Sequence, residues 1–289
     1  MSRKRILYLI IGLIIGIVLI ILWLHYIDLN ELVARMKRID TRLVFWATIS
    51  YLAAYFIRSL RWNILLSKQT SISIWKTYLY SMGGNWVNYL IPIRAGELVN
   101  AWFVKHNHGN SITSVLPSIF IDKTFDTLGI FFVLLMIPLL KVKFSQGLII
   151  LLILLGLVFA VSLAVLILSV WQKDKVVRFL QVLFSWLPKK LKTKVNNYIS
   201  IFVQGLNIFE HHWTRLLNSF LLTALGVFLD GLYFYLLFLA FGIDYPFLKV
   251  LFGYTLINLS YAIPQPPAQL GSNEWMMIII FSVGFALTR

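Results

Sequence analysis

The amino-acid sequence predicts an all-α fold. It reads as a polytopic helical bundle integral to a membrane, with two re-entrant or broken helices related as an inverted-topology repeat. Three observations lead there. Of 289 residues, 60% are hydrophobic and 13% charged, against about 25% charged in a soluble domain. The apolar runs are long: Ile6 to Ile27 would cover roughly 33 Å as a helix, enough to cross the hydrocarbon core. Finally, two apolar stretches, Ser81 to Glu97 and Ile263 to Glu274, are interrupted by proline, glycine and ionisable residues. Backbone that leaves the helix at membrane depth has to be buried in protein or line a polar cavity.

The elements follow in order. Arg3-Lys4-Arg5 precedes the first apolar run, and Trp23, His25 and Tyr26 stand where a cleavable signal would carry small residues. This predicts an uncleaved anchor with a cytoplasmic N-terminus. Asp28 to Arg42 mixes charges and predicts a short helix in the interface. Leu43 to Leu66 is a second span running inward. It carries Arg58 and Arg61 on one face, either snorkelling to the cytoplasmic end or forming an anion-binding pair in a cavity.

Trp75 to Tyr89 and Arg94 to Lys105 read as two half-helices. The break between them is marked by Gly83, Gly84, Pro92 and Gly96, with Asn85, Asn88, Arg94 and Glu97 as candidate substrate contacts. His106 to Asn110 reads as a solvated turn, because its His-x-His has no carboxylate or cysteine beside it to complete a metal site. Neither metal nor cofactor is expected. Ile112 to Leu140 is a long span carrying Asp122, Lys123 and Asp126, with the two aspartates on one face. Each charge at mid-bilayer costs about 3 kcal/mol on insertion scales, so three together point to function. Gly147 to Trp171 is a plain scaffold span.

Residues 172–213 hold seven lysines and arginines. Val176 to Leu187 and Val195 to Phe209 predict basic amphipathic helices held at the cytoplasmic surface by anionic lipid. Leu216 to Phe241 spans outward with Asp230 inside it. Phe247 to Ile263 then enters, Pro264, Pro267 and Gly271 mark the second break, and Glu274 to Leu287 follows. The whole of 1–289 is read as one transmembrane domain.

On this path the Pro92 break is entered from the cytoplasm and the Pro264 break from outside, which is what an inverted repeat produces. Substrate would sit between half-helix ends at the midplane. Free N–H groups there suit a lipid phosphate, and Arg94 could add a bidentate contact. Glu97 and Glu274 open the helices after each break, as dipole-favoured acids, as partners of Arg94 or Lys123, or as groups that take up protons. The intramembrane set is Arg58, Arg61, Arg94 and Lys123 against Glu97, Asp122, Asp126, Asp230 and Glu274, one acid in excess.

The formal net charge is +15. In a membrane protein that marks cytoplasmic loops and contact with anionic lipid; no nucleic-acid-binding motif is present. The basic residues favour a cytoplasmic N-terminus in a cell membrane, with Arg35, Lys37, Arg38 and Arg42 running against the trend. The absence of cysteine excludes disulfides and thiolate chemistry.

Gly84-Asn85, Asn88, Pro92 and Arg94-Ala95-Gly96-Glu97, then Asp122-Lys123 and Asp126, then Pro264, Pro267, Leu270-Gly271 and Glu274, occur in the order of a known pattern. They resemble the lysylphosphatidylglycerol synthase/flippase transmembrane family, the flippase-like membrane domain of the multiple-peptide-resistance factors, in its stand-alone form. The resemblance implies movement of charged or glycosylated lipids between leaflets. The fused synthase of some relatives has no counterpart here, so its activity does not carry over. Two departures stand out: Ala268-Gln269 replace a glycine pair of the second motif, and the chain stops at Arg289, where relatives continue, so the second repeat is expected to be incomplete.

The expected function is therefore a flippase moving a polar- or charged-headgroup lipid through a midplane cavity, and not an enzyme. Membrane lipids are its partners, and its oligomeric state is open, a dimer included. One alternative is a non-catalytic subunit that recruits a glycosyltransferase or lipid synthase through the basic segment. Another is an enzyme using Asp122 and Asp126 on a lipid-linked substrate, although no nucleophile or catalytic histidine accompanies them. No Walker motif suggests direct ATP use.

Overall fold

A computed structural model describes residues 3–67, 70–91, 95–136, 172–185, 188–206, 213–261 and 265–284, together with positions 157, 160, 161 and 164. Pro92, Arg94, Pro264, the Gly147–Trp171 span apart from those four positions, and the His211-His212 pair lie outside these residues. All regular structure among them is helical. The helices are α1 (Arg3–Tyr26), α2 (Leu29–Lys37), α3 (Thr41–Leu66), α4 (Ile74–Leu90), α5 (Gly96–His108), α6 (Ile112–Leu135), α7 (Lys173–Leu183), α8 (Lys189–Leu206), α9 (Trp213–Ala240), α10 (Phe247–Ser260) and α11 (Ser272–Met277). A 3-10 turn (Pro267–Gln269) precedes α11, which continues as a π-helical stretch (Ile278–Gly284).

The bundle is built on α3 and α9, both long and apolar enough to cross a membrane. They run antiparallel along their full lengths. At one end the Asp40 N–H donates to the Ala240 carbonyl (3.1 Å). Midway, Ser50 Oγ donates to the Leu229 carbonyl (2.8 Å). At the other end Leu65 and Leu216 share a buried cluster. Ala47, Ser50, Ala54, Ser59 and Ser219, all buried, keep the two backbones close, the usual basis of helix association where the solvent is itself apolar.

Each of these helices is followed by a helical hairpin. After α3, α4 and α5 pack antiparallel: Asn88 meets Gly96, Gly84 meets Asn100, and Tyr80 stacks on Phe103. After α9, α10 and α11 do the same: the Tyr261 hydroxyl donates to Asn273 Oδ1 (2.9 Å), and Gly253 faces the Phe281 ring. Because α3 and α9 are antiparallel, the two hairpins enter from opposite ends of the bundle. They also meet, as α4 packs against the 3-10 turn of the second break.

That second break is braced by α1. Gly12 and Gly16 lie against Pro267, Pro266 and Leu270, and Trp275 Nε1 donates to the Leu19 carbonyl (3.0 Å). Ala268 (φ 55°) and Gln269 (φ 56°) both take the left-handed conformation, which costs a side-chain-bearing residue about 1–2 kcal/mol. Asn273 Nδ2 donates to Gln269 Oε1 (2.8 Å) and Ser272 Oγ to the Gln269 carbonyl (2.9 Å), holding the turn. Replacing Ala268 with glycine is expected to raise stability by about 0.5–1 kcal/mol, the relief of strain exceeding the added chain entropy. Thermal unfolding in detergent reads this out, with Ala268→Val as the destabilising counterpart.

The structure refines two expectations. The basic amphipathic helices α7 and α8 are present, and each turns only part of its apolar face to the bundle, leaving Phe179, Val182, Leu183, Leu191 and Tyr198 exposed. Ile199 packs with Leu65, Ile121, Phe125, Leu128 and Leu216, and Val177, Leu180 and Val195 pack around that cluster. Their basic residues Lys175, Arg178, Lys192 and Lys194 stay exposed. His106 and His108 are helical instead of forming a turn, although His106 stays exposed. Both belong to the last turn of α5, which ends at Gly109 (φ 74°). His108 Nε2 lies 3.2 Å from the Tyr80 hydroxyl, and His106 stacks on Trp102 with centroids 5.1 Å apart.

Candidate functional site

The charges of α3, α6 and α9 converge where the first hairpin meets the bundle. Arg61 lies at the centre, 1% exposed. Its Nε donates to Asp122 Oδ1 (2.8 Å) and Nη1 to Thr223 Oγ1 (2.8 Å). Its Nη2 donates to the Asp122 carbonyl (3.2 Å) and to Asp126 Oδ1 (2.5 Å). With four contacts on a guanidinium of five N–H donors, Arg61 has almost nothing left for a ligand. Neither reading from sequence holds for it: it does not snorkel, and it is not an open anion site.

Arg58, one turn earlier, is engaged differently. It pairs bidentately with Asp230, Nη1 to Oδ1 at 3.1 Å and Nη2 to Oδ2. Its Nε lies 3.9 Å from Asp126 Oδ1, and its guanidinium sits 5.6 Å from the Tyr55 ring centroid. Its side chain is 27% exposed. Lys123 is the most open of the three at 51%; it donates to Asp126 Oδ2 (3.1 Å) and stands 3.7 Å from Glu97 Oε1. Asp126 therefore touches all three cations.

Glu97 carries the network into the hairpin. Ala95 precedes α5 and has no side chain to cap it, so the cap comes from the opposite helix. Asn88 Oδ1 accepts from the Gly96 N–H (2.7 Å) while its Nδ2 donates to Glu97 Oε1 (3.2 Å). One asparagine thus satisfies an orphan donor of α5 and orients its first acid. The close approach requires glycine on both sides: a Cβ on Gly84 would come within 2.7 Å of the Gly96 carbonyl oxygen, and one on Gly83 within 2.9 Å of the Phe103 ring.

The structure thus brings together Asn88, Glu97, Asp122, Lys123, Asp126, Asp230, Arg58 and Arg61. Asn85 is half-buried on α4 and stands apart from these contacts. Glu274 lies in the first turn of α11, across the second break; its Oε2 is enclosed without a hydrogen-bond partner, as is Asn100 Oδ1 on α5. The assembled network has three cations and four acids, one negative charge in excess. Among the described residues no group of three or more histidines, cysteines and carboxylates is placed to hold a metal ion.

The sequence reading missed the tyrosines beside the network. Tyr51 lies 4.8 Å from Tyr55 and 5.2 Å from Tyr233, ring to ring, and Tyr233 lies 6.2 Å from Tyr254. They line the α3–α9–α10 side next to Arg58 and Asp230. The signal was present: Tyr55 is three residues before Arg58, and Tyr233 three after Asp230, so each shares a face with its charge. Thr223, which takes an Arg61 donor, had no such signal.

Comparison with known proteins adds the following. A family model described as the lysylphosphatidylglycerol synthase TM region matches residues 9–286. Among curated proteins the chain is similar to a UPF0104 membrane protein of Methanothermobacter thermautotrophicus (strain Delta H). The two are 25% identical over 283 residues, covering 93% of this chain and 81% of the relative. No solved structure matches the chain.

Proposed function

From the premise that this chain belongs to the lysylphosphatidylglycerol synthase transmembrane-region family, we propose that it moves a lipid with a polar or charged headgroup between leaflets. The graded exposure of the three clustered cations carries this reading. Arg61, at 1%, locks α3 to α6 and α9, whereas Lys123, at 51%, is open and joins the hairpin to the bundle across only 3.7 Å. An anionic phosphate arriving between hairpin and bundle would compete with Glu97 for Lys123, and charge-assisted contacts to phosphate are strong enough to do so. Releasing Glu97 frees the hairpin to move, and the second hairpin, entered from the opposite end, offers the complementary opening. The setting is a cell membrane, with the N-terminus cytoplasmic.

Transfer of a fluorescent phospholipid in proteoliposomes tests this. Lys123→Met and Glu97→Gln are each expected to slow transfer at least tenfold, since each replaces a charge by a neutral side chain of similar length. Both groups are partly exposed, so melting temperatures should stay close to the parent protein. Unchanged transfer in both variants would overturn the reading.

A second reading rests on α7 and α8. Their exposed Lys175, Arg178, Lys192 and Lys194 offer a basic surface to an acidic partner such as a lipid synthase or glycosyltransferase. Charge reversal at these four would then abolish co-purification of that partner and leave reconstituted lipid transfer intact.

A further inference from the structure

Arg35, Lys37, Arg38 and Arg42 run against the charge bias of the rest of the chain, and the central network makes no use of them. Arg35 and Arg38 face a depression of about 460 Å³, lined by Glu31, Ala34, Arg35, Arg38, Phe241 and Gly242. It lies between α2 and the corner that joins α9 to α10, at the end of the bundle opposite α7 and α8. We propose that this cleft binds the phosphate of an anionic phospholipid headgroup.

The geometry of α2 carries the argument. Asp28 caps it, accepting from the N–H groups of Asn30 (2.8 Å) and Glu31 (3.3 Å). The chain turns 86° between α1 and α2, so α2 lies across the end of the span that precedes it. Leu29, Val33 and Met36 recur at four- and three-residue steps and form one stripe, 52%, 49% and 57% exposed. Glu31, Ala34, Arg35 and Arg38 form a second stripe, and at 100° per residue it lies on the opposite side of the helix. One face therefore has no cover among the described residues, and the other lines the cleft. A helix with that division sits at the headgroup level of an interface, where lipid phosphates lie.

The two arginines are not equivalent. Glu31 Oε1 takes the Arg35 guanidinium, accepting from Nε (3.0 Å) and Nη2 (2.6 Å), which offsets its charge and fixes it at the cleft wall. Arg38 makes no ion pair among the described residues, so its fork is free for a phosphate. The helix C-terminus favours basic residues in its last turn, yet that preference does not explain why two of them face a cleft. The α9–α10 corner is held beside them by the Asp40 N–H to Ala240 carbonyl bond (3.1 Å) and by the left-handed turn at Gly242 (φ 74°).

The test uses the full chain, whose lack of cysteine allows a single reporter. Asn30→Cys, on α2 beside the cleft but outside its lining, is labelled with an environment-sensitive fluorophore. The protein in detergent is titrated with short-chain phosphatidylglycerol, with phosphatidylcholine, and with inorganic phosphate. A saturable response to phosphatidylglycerol is expected, at a concentration at least tenfold below that for phosphatidylcholine. Arg38→Gln should shift the midpoint about tenfold, and Arg38→Lys should recover it only in part. No residue of α2 is buried, so these variants keep the fold. Equal response to both lipids, an unchanged midpoint in Arg38→Gln, or equal response to inorganic phosphate would each overturn the proposal. The readout is binding, so it stands or falls separately from lipid transfer.

Discussion

Replacing Arg61 with glutamine is expected to lower the stability of the bundle by about 3–5 kcal/mol, the range for removing one partner of a buried ion pair. The cause is what remains behind. Asp122 and Asp126 would face each other across the vacated space, one turn apart on α6, in a region with little water to solvate them. Thr223 Oγ1 and the Asp122 carbonyl would lose their donor as well. Arg61→Lys should recover little, because an ammonium cannot reach Asp122, Asp126 and Thr223 from one planar fork. Thermal unfolding in detergent measures the effect, a drop on the order of 10 °C for a domain this size. The double change Arg61→Met with Asp122→Asn should recover part of the loss, and a melting temperature unaltered by Arg61→Gln would show that the network is not what joins α3 to α6 and α9.

The same pair of arginines shows how far the sequence could be read. Three-residue spacing on an apolar helix places Arg58 and Arg61 on one face and marks both as unusual. What separates them is the partner helix: α9 presents Thr223 to Arg61 and Asp230 to Arg58. That leaves one arginine sealed and the other partly open, and helical spacing within α3 contains no trace of the register of α9. The breaks were legible for the opposite reason, since glycine, proline and ionisable residues at membrane depth are a strictly local signal. The cap on α5 was half legible. Asn88 and Glu97 stood out individually, but only the hairpin brings Asn88 to the Gly96 N–H.

Elsewhere a property is legible in the residues while its destination is not. An apolar stripe on a basic helix has the same periodicity whether it meets acyl chains or protein, and α8 divides its own between the two, with Ile199 packed on α3, α6 and α9 and Leu191 and Tyr198 exposed. His106 is exposed, whereas Tyr80, which meets His108, lies on the facing helix of the hairpin, where spacing along α5 does not reveal it. Ala268 and Gln269 are a subtler case. Neither residue signals a left-handed backbone by itself, although both stand where the family pattern has a glycine pair.

Changing Gly96 to valine is expected to destabilise the protein by about 3 kcal/mol, the second large effect, and to act by a route unlike that of Arg61. A Cβ at this position would press on the Gly84 backbone and come within 2.7 Å of Asn88 Cγ. Neither neighbour can rotate away: one is main chain, and the other is held by its bond to the Gly96 N–H (2.7 Å). The hairpin has to open, which forfeits packing and breaks the Asn88 cap on α5, worth about 1 kcal/mol more. Gly226→Ala is the control. That glycine is equally helical and buried, but its added Cβ would meet Arg58 and Ile57 at 3.8 and 3.9 Å, ordinary contact distances. Helix propensity should then dominate and raise stability by about 0.5–1 kcal/mol. Opposite signs for the two glycines in thermal unfolding would locate the constraint in the closeness of α4 and α5. Similar losses at both would mean that any added side chain disturbs this bundle, and that the hairpin contact is not specific.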